Sequence, residues 1–85
     1  MLRKKANLKI KHIKIAGVLR ITNEKIVFKP FLSSEISIPI SSISNVEIVK
    51  RFLERVKIEA NEKEYLFFIK DAKNVAKLIK SLIEK

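Results

Sequence analysis

The pattern that most constrains the fold of this chain is a change of hydrophobic period close to its end. Up to residue 69 apolar residues recur at alternate positions, as in the segment 13–21, and this is the period of a strand with one buried face. From Asp71 onward the apolar residues are spaced by three and four, as in an amphipathic helix. The sequence therefore predicts a mainly β domain that ends in one helix, over residues 72–84.

Polar segments divide the alternating region into seven expected strands. The alternation slips by one residue at Lys11 and His12, which predicts a tight turn there. The "TNEK" segment contains Asn23, a residue that tolerates turn conformations. The strands on either side of it, expected near 13–22 and 25–31, should therefore pair antiparallel.

Three residues indicate how the sheet is shaped and closed. Gly17 is the only glycine and falls in the inward register of its strand. A missing inward side chain marks a bend, a bulge or the close approach of another backbone, so we expect the sheet to curl at Gly17. Pro39 lacks an N–H and predicts an edge strand, and Asp71 is the expected N-cap of the helix. The residues expected inside the barrel are Ile15, Leu19, Ile21, Phe28, Ile38, Val46, Ile58, Phe67, Val75, Ile79 and Leu82.

Composition favours one small binding domain over an enzyme. A chain of 85 residues suits a single domain, residues 1–85, and its lack of cysteine leaves no disulfide or thiolate metal site. The chain contains one histidine and no catalytic motif, so we expect a protein that is not an enzyme and that binds no cofactor. No apolar run is long enough for a signal peptide or a membrane span, which predicts a cytoplasmic protein. Abundant Ile, Lys and Glu without Gln are typical of proteins from hot environments.

The positive charge is concentrated in the first third of the chain. The net charge is +10, and residues 1–30 contain nine Lys and Arg against Glu24 alone, a balance of +8. An anionic partner should meet this region, although the lysines would also serve simply to keep strand faces and edges soluble. The expected anion or lipid site, clustered at one end of the barrel, consists of Lys9, Lys11, Lys14, Arg20 and Lys25.

A second candidate surface is the "KRFLER" segment at 50–55, where a hairpin turn is required but no Gly, Pro or Asn is present. Two adjacent apolar side chains cannot both face the core of a strand, so an exposed apolar tip between arginines is one interpretation. The alternative is a bulge that folds one of them onto the core rim. The residues of this expected interaction tip are Arg51, Phe52, Leu53 and Arg55. Most of the other aromatic residues are expected in the core, and one or two of them in the lining of a groove; they are Phe28, Phe31, Phe67, Phe68 and Tyr65.

Four segments resemble the pleckstrin-homology-like superfamily, and most closely its GRAM-type domains. They are Ala6-Asn7, "GVLRITNEKIVF" at 17–28, "ISIPISSI" at 36–43 and "EYLFFI" at 64–69. The resemblance implies a bent antiparallel barrel of seven strands that is capped by the C-terminal helix. The chain does not reproduce the basic cluster of the phosphoinositide-binding members, so stereospecific headgroup binding is not expected.

The sequence favours two classes of function over the others. The first is a non-catalytic module that docks an acidic protein segment or a partner subunit in a groove between a sheet edge and the helix, where a peptide can add a strand. The second is a peripheral membrane module that the basic N-terminal hairpin draws to anionic lipid headgroups. Nucleic-acid binding ranks third, because residues 1–25 contain no Phe, Tyr or Trp on which bases would stack.

Overall fold

A computed structural model of the chain describes residues 2–50 and 54–84. This part contains seven strands, one short 3₁₀ helix and one α-helix. In chain order they are β1 (Leu2–Ile10), β2 (Ile13–Ile21), β3 (Lys25–Pro30), β4 (Ile36–Pro39), the 3₁₀ helix (Ile40–Ser42), β5 (Ile43–Lys50), β6 (Glu54–Ala60), β7 (Lys63–Phe68) and α1 (Ala72–Ile83). The predicted class, mainly β with one C-terminal helix, is confirmed.

All seven strands belong to one antiparallel sheet in the order β4-β3-β2-β1-β7-β6-β5. The pairing of β2 with β3 confirms the hairpin expected around "TNEK". The turn at Lys11 and His12 joins β1 to β2, as the slip in alternation predicts. The strand that ends at Pro39 lies at one edge of the sheet, where its missing N–H leaves no neighbour unpaired.

The connection between the two edge strands forces the sheet to curl. Six strand spacings would separate β4 from β5 by about 29 Å in a flat sheet. The chain passes from Pro39 to Ile43 through the 3₁₀ helix alone, and four residue steps reach at most about 14 Å. The edges must therefore approach each other, and the sheet wraps around a single interior.

Aromatic contact across that interior shows the same curl. Phe28 on β3 and Phe67 on β7 are separated in the sheet by β2 and β1, yet their ring centroids lie 5.5 Å apart. Both side chains belong to one buried cluster, which also includes residues of the edge strands and of α1. All of the predicted interior residues are buried except Ile15, which is half-buried at the rim of the cluster.

Gly17 lies where two strands come too close for a side chain. It is buried and pairs with Pro30 of β3. A Cβ at this position would overlap the carbonyl oxygen of Lys29 and would lie 2.8 Å from Cζ of Phe28. Of the three possibilities for an inward glycine, a bend, a bulge or a close backbone approach, the structure shows the close approach at this position.

The first N–H of α1 is bound by a side chain that the sequence pattern did not indicate. Asp71 occupies the N-cap position in a left-handed conformation, with φ of 62°, but its carboxylate accepts no hydrogen bond from a helix N–H. It accepts the side-chain amide of Asn74 at 2.9 and 3.0 Å instead. Glu54 of β6 accepts the N–H of Ala72 at 3.2 Å. Asp71 is thus the N-cap residue, as expected, but the side chain that accepts the first N–H of the helix belongs to Glu54, which is distant in sequence.

Candidate functional site

The β1–β2 hairpin brings three of the predicted basic residues together. Lys9 and Lys14 are direct partners across the two strands, and Lys11 lies in the turn between them with φ of 55°. Like charges directly opposite each other are unfavourable in a sheet. No carboxylate lies within ion-pair distance of these lysines in residues 2–50 and 54–84. The segment 9–14, called the hairpin tip below, is therefore a cluster of uncompensated positive charge.

Arg20 and Lys25 do not belong to this cluster, so the expected clustering of all five residues at one end of the barrel is wrong for these two. Arg20 lies six residues along β2 from Lys14, which is about 20 Å at the rise of a strand. Its guanidinium forms an ion pair with Glu35 at 3.2 Å. Lys25 begins β3 beside Pro39, also at the far end of the hairpin. Nearness in sequence does not bring them together, because each nine-residue strand has basic residues at both ends.

The expected apolar tip at 50–55 is described only in part. Arg51, Phe52 and Leu53 lie outside the described residues, so the prediction for them stays open. Arg55 is half-buried on β6 opposite Phe68, and its Cζ lies 5.3 Å from the centre of that ring. Arg55 therefore lies within a strand, on the face of the sheet, and not in an exposed turn.

The structure exposes a different set of large apolar side chains. Ile10 is 43% exposed, Ile13 66%, Phe31 61% and Leu32 99%. The first two flank the turn of the hairpin tip, and the other two follow β3 in its turn to β4. Sequence periodicity places Ile13 in the inward register, but the residue lies beyond the rim of the core. The adjacent apolar pair at 31 and 32, just before two serines, is the signal that could have identified the second turn.

These turns lie at one end of the barrel. Because neighbouring strands are antiparallel, the β1–β2, β3–β4 and β6–β7 turns all fall at the same end of their strands. Helix α1 begins after β7, at the other end, and packs on β5 and β6. We call the end formed by the turns 11–12, 31–35 and 61–62 the open end.

The aromatic residues divide between the core and the surface. Phe28 and Phe67 are buried as predicted, whereas Tyr65 and Phe68 are half-buried. Phe31 is exposed, because β3 ends one residue before it.

A concave surface, called the outer groove below, crosses β2, β1 and β7 on the face of the sheet opposite the core. It is open and has a volume of about 780 Å³. Ala16, Asn7 and Phe68 are successive neighbours across these strands, and Phe31 borders the groove as well. The groove is concave because the small side chains of Ala16 and Asn7 lie beside large aromatic rings.

Cations surround the aromatic wall of the outer groove. Nζ of Lys14 lies 4.2 Å from the centre of the Phe68 ring, and the guanidinium of Arg55 approaches the same ring. Both contacts are within the range of a cation–π interaction. Lys5 and Lys70 also line the groove, and neither forms an ion pair with a described carboxylate.

The two carboxylates that line the groove are already engaged. Glu54 accepts the N–H of Ala72, the first residue of α1. Asp71 binds the side chain of Asn74 and lies 3.7 Å from Nζ of Lys4. Glu54 keeps its negative charge, but four cations, Lys5, Lys14, Arg55 and Lys70, line the groove or its aromatic wall against these two carboxylates.

A neighbouring cluster on the same face places three carboxylates around one lysine. Nζ of Lys57 lies 3.3 Å from Glu64, 3.4 Å from Glu47 and 3.7 Å from Glu59. The hydrogen bonds that Lys57 donates to Glu64 and Glu47 raise the pKa of Lys57. Hydrogen bonds from Asn45 and then Lys57 lower the pKa of Glu47. Lys57 is therefore paired with carboxylates of the same chain, whereas the lysines of the hairpin tip are not.

Comparisons with known proteins identify the fold and no activity. One similar solved structure is the crystal structure of the C-terminal domain of an unknown protein from Leishmania infantum, with a TM-score of 0.88 and 14% sequence identity. The match covers 100% of this chain and 84% of that chain. No family model and no curated protein matches the sequence. Within residues 2–50 and 54–84, no helix has the length and apolar character needed to cross a bilayer.

Proposed function

We propose that this domain is a non-catalytic peripheral module that docks on an anionic membrane surface through its open end. One observation carries the proposal. The large apolar side chains that the described structure exposes most, Ile10, Ile13, Phe31 and Leu32, lie on turns at the open end, beside the uncompensated lysines of the hairpin tip. Exposed apolar residues beside lysines suit the boundary between lipid headgroups and acyl chains.

The energies favour reversible binding. Each lysine near an anionic leaflet contributes about 1 kcal/mol, so the three lysines of the hairpin tip contribute roughly 3 kcal/mol. Full burial of an isoleucine side chain contributes about 1.5 to 3 kcal/mol, and Ile10 and Ile13 would bury only part of that area. Binding of this kind weakens with salt, since the Debye length is only about 10 Å at 0.1 M.

Vesicle co-sedimentation tests the proposal. We expect the wild-type protein to sediment with phosphatidylcholine vesicles that contain phosphatidylserine, and far less with phosphatidylcholine alone. Reversal of charge in Lys9→Glu/Lys11→Glu should abolish the difference. Ile10→Ser/Ile13→Ser should weaken binding at constant charge, and both variants should fold because the replaced side chains are exposed.

The matched control is Lys25→Glu/Lys77→Glu, which makes the same change in net charge away from the open end. It should retain most of the binding. Equal loss in this control would mean that only total charge matters. If the wild-type protein does not distinguish the two kinds of vesicle, the membrane proposal is wrong.

Docking of an acidic protein segment between a sheet edge and the helix remains a proposal with weaker support. A shallow region of about 420 Å³ lies between the 3₁₀ helix, the end of α1 and the start of β5. Glu24 lines it, and no Lys or Arg does, so an acidic segment would meet no cation there. Membership of the GRAM-type domains is likewise a proposal, supported by the order of seven strands and one helix.

A further inference from the structure

We propose that the outer groove binds an acidic linear segment of another protein. One apolar side chain of the segment is seated between Phe31 and Phe68, and its carboxylates face Lys5 and Lys70. The groove runs along the side of the barrel and shares Phe31 with the open end, whereas Lys5 and Lys70 lie outside the open end and separate the two kinds of binding experimentally.

The shape of the groove fits an extended chain. Ala16 and Phe68 lie two strands apart, which places their backbones about 10 Å from each other. Asn7 lies between them on β1 and offers both a donor and an acceptor to the backbone of a bound segment. Ala16 is exposed and small, so the space beside Phe31 is open to one apolar side chain.

The charges around the groove select an anionic partner. Lys5 and Lys70 line it without a described carboxylate partner, and Lys14 lies over the Phe68 ring. The two acidic residues in the lining are bound to the start of α1 and to its first turn. A peptide with carboxylates on both sides of an apolar residue therefore complements the groove in charge and in shape.

An acidic peptide fits better than the other two classes of anionic partner. A bilayer surface does not enter a concave groove, whereas a linear segment does. A nucleic acid would need an open aromatic face for stacking, but Lys14 already lies over the ring of Phe68.

Fluorescence anisotropy with synthetic ligands tests the proposal. The probe is a short labelled peptide of Glu and Asp with one central Phe. It is compared with the same peptide containing a central Ala and with single-stranded oligothymidine. We expect Lys5→Glu/Lys70→Glu to raise the Kd for the Phe peptide about tenfold, as the loss and reversal of two exposed ion pairs. The control Lys25→Glu/Lys77→Glu, which lies outside the groove, should change it less than about threefold.

A second pair of variants tests the apolar seat at constant charge. Ala16→Phe fills the space between the two aromatic residues and should abolish the preference for the Phe peptide. Val18→Phe adds the same side chain one outward position along β2 and should retain that preference. Ile10→Ser/Ile13→Ser, which should weaken vesicle binding, should leave peptide binding unchanged, so each proposal can be refuted without the other.

Three results would overturn the inference. The first is that the variant Lys5→Glu/Lys70→Glu binds the Phe peptide as tightly as the wild-type protein does. The second is equal affinity of the wild-type protein for the Phe and Ala peptides. The third is tighter binding of oligothymidine that depends on the same two lysines, which would assign the groove to a nucleic acid.

Discussion

Replacement of Gly17 by alanine should destabilise the domain although it adds only a methyl group. The new Cβ would overlap the carbonyl oxygen of Lys29 and would lie 2.8 Å from Cζ of Phe28. The first obstacle is backbone, held in place by the pairing of β2 with β3. The second is a buried ring packed on Phe67. Neither neighbour can turn away as a flexible surface side chain would.

Two opposing effects set the size of the change. Forcing extra atoms into a packed site costs about 1 to 3 kcal/mol. Replacing glycine by alanine restricts the unfolded chain, which offsets about 0.4 to 1 kcal/mol of that cost. The overlap involves a carbonyl oxygen that cannot move without disturbing the sheet, so the upper part of the range applies. We therefore expect a net loss of about 2 kcal/mol in the free energy of unfolding.

Guanidinium unfolding followed by circular dichroism measures this loss. The midpoint should fall while the dependence on denaturant stays constant. Val18→Ile is the matched control, since it adds one carbon atom to the neighbouring position on the outer face and should change stability by less than about 0.5 kcal/mol. Unchanged or increased stability of Gly17→Ala would refute the argument that close strand approach requires this glycine.

Three further predictions concern the helix and the charged face. Leu82→Ala should cost about 2 to 5 kcal/mol as a cavity in the core; a loss below about 0.5 kcal/mol in the same unfolding assay would show that α1 is not docked. Glu54→Ala should cost about 0.5 to 2 kcal/mol because the helix loses its cap, and Glu54→Gln, which keeps an acceptor, should cost less. Lys57→Met should raise the pKa of Glu47, measured by carbon NMR titration. Because folding lowers that pKa, the stabilising effect of Glu47 is present at neutral pH and is lost as the pH falls through its folded value; an unchanged pKa would contradict the hydrogen bond.

The elements could be predicted from the sequence because each has its own hydrophobic period. Alternation identifies the strands, and the spacing of apolar residues after Asp71 identifies α1. The inward position of Gly17 in its strand likewise indicates the close approach of a second backbone. The partner that caps α1 could not be found in this way, because Glu54 lies 18 residues from Ala72 and reaches it only when β6 is beside the helix.

The candidate surfaces were less predictable because they depend on which strands become neighbours. Lys9 and Lys14 meet through one local hairpin, so their cluster follows from the turn. The pairing of β1 with β7 brings together residues far apart in sequence, such as Asn7 and Phe68. No local pattern indicates that pairing. The outer groove could therefore not be predicted from the sequence. The same is true of the contact between a basic residue near the N-terminus and an aromatic ring.

The distribution of ion pairs explains why the positive excess appears at these surfaces and not over the whole barrel. Glu47, Glu59 and Glu64 all lie within ion-pair distance of Lys57, so three carboxylates gather around a single lysine on β6. Glu35 pairs with Arg20, and Asp71 lies near Lys4. None of the described acids that form ion pairs reaches a lysine of the hairpin tip. The repulsion between Lys9 and Lys14 is left to solvent or to a partner, and an anionic partner that binds only the folded state would relieve it and stabilise the domain.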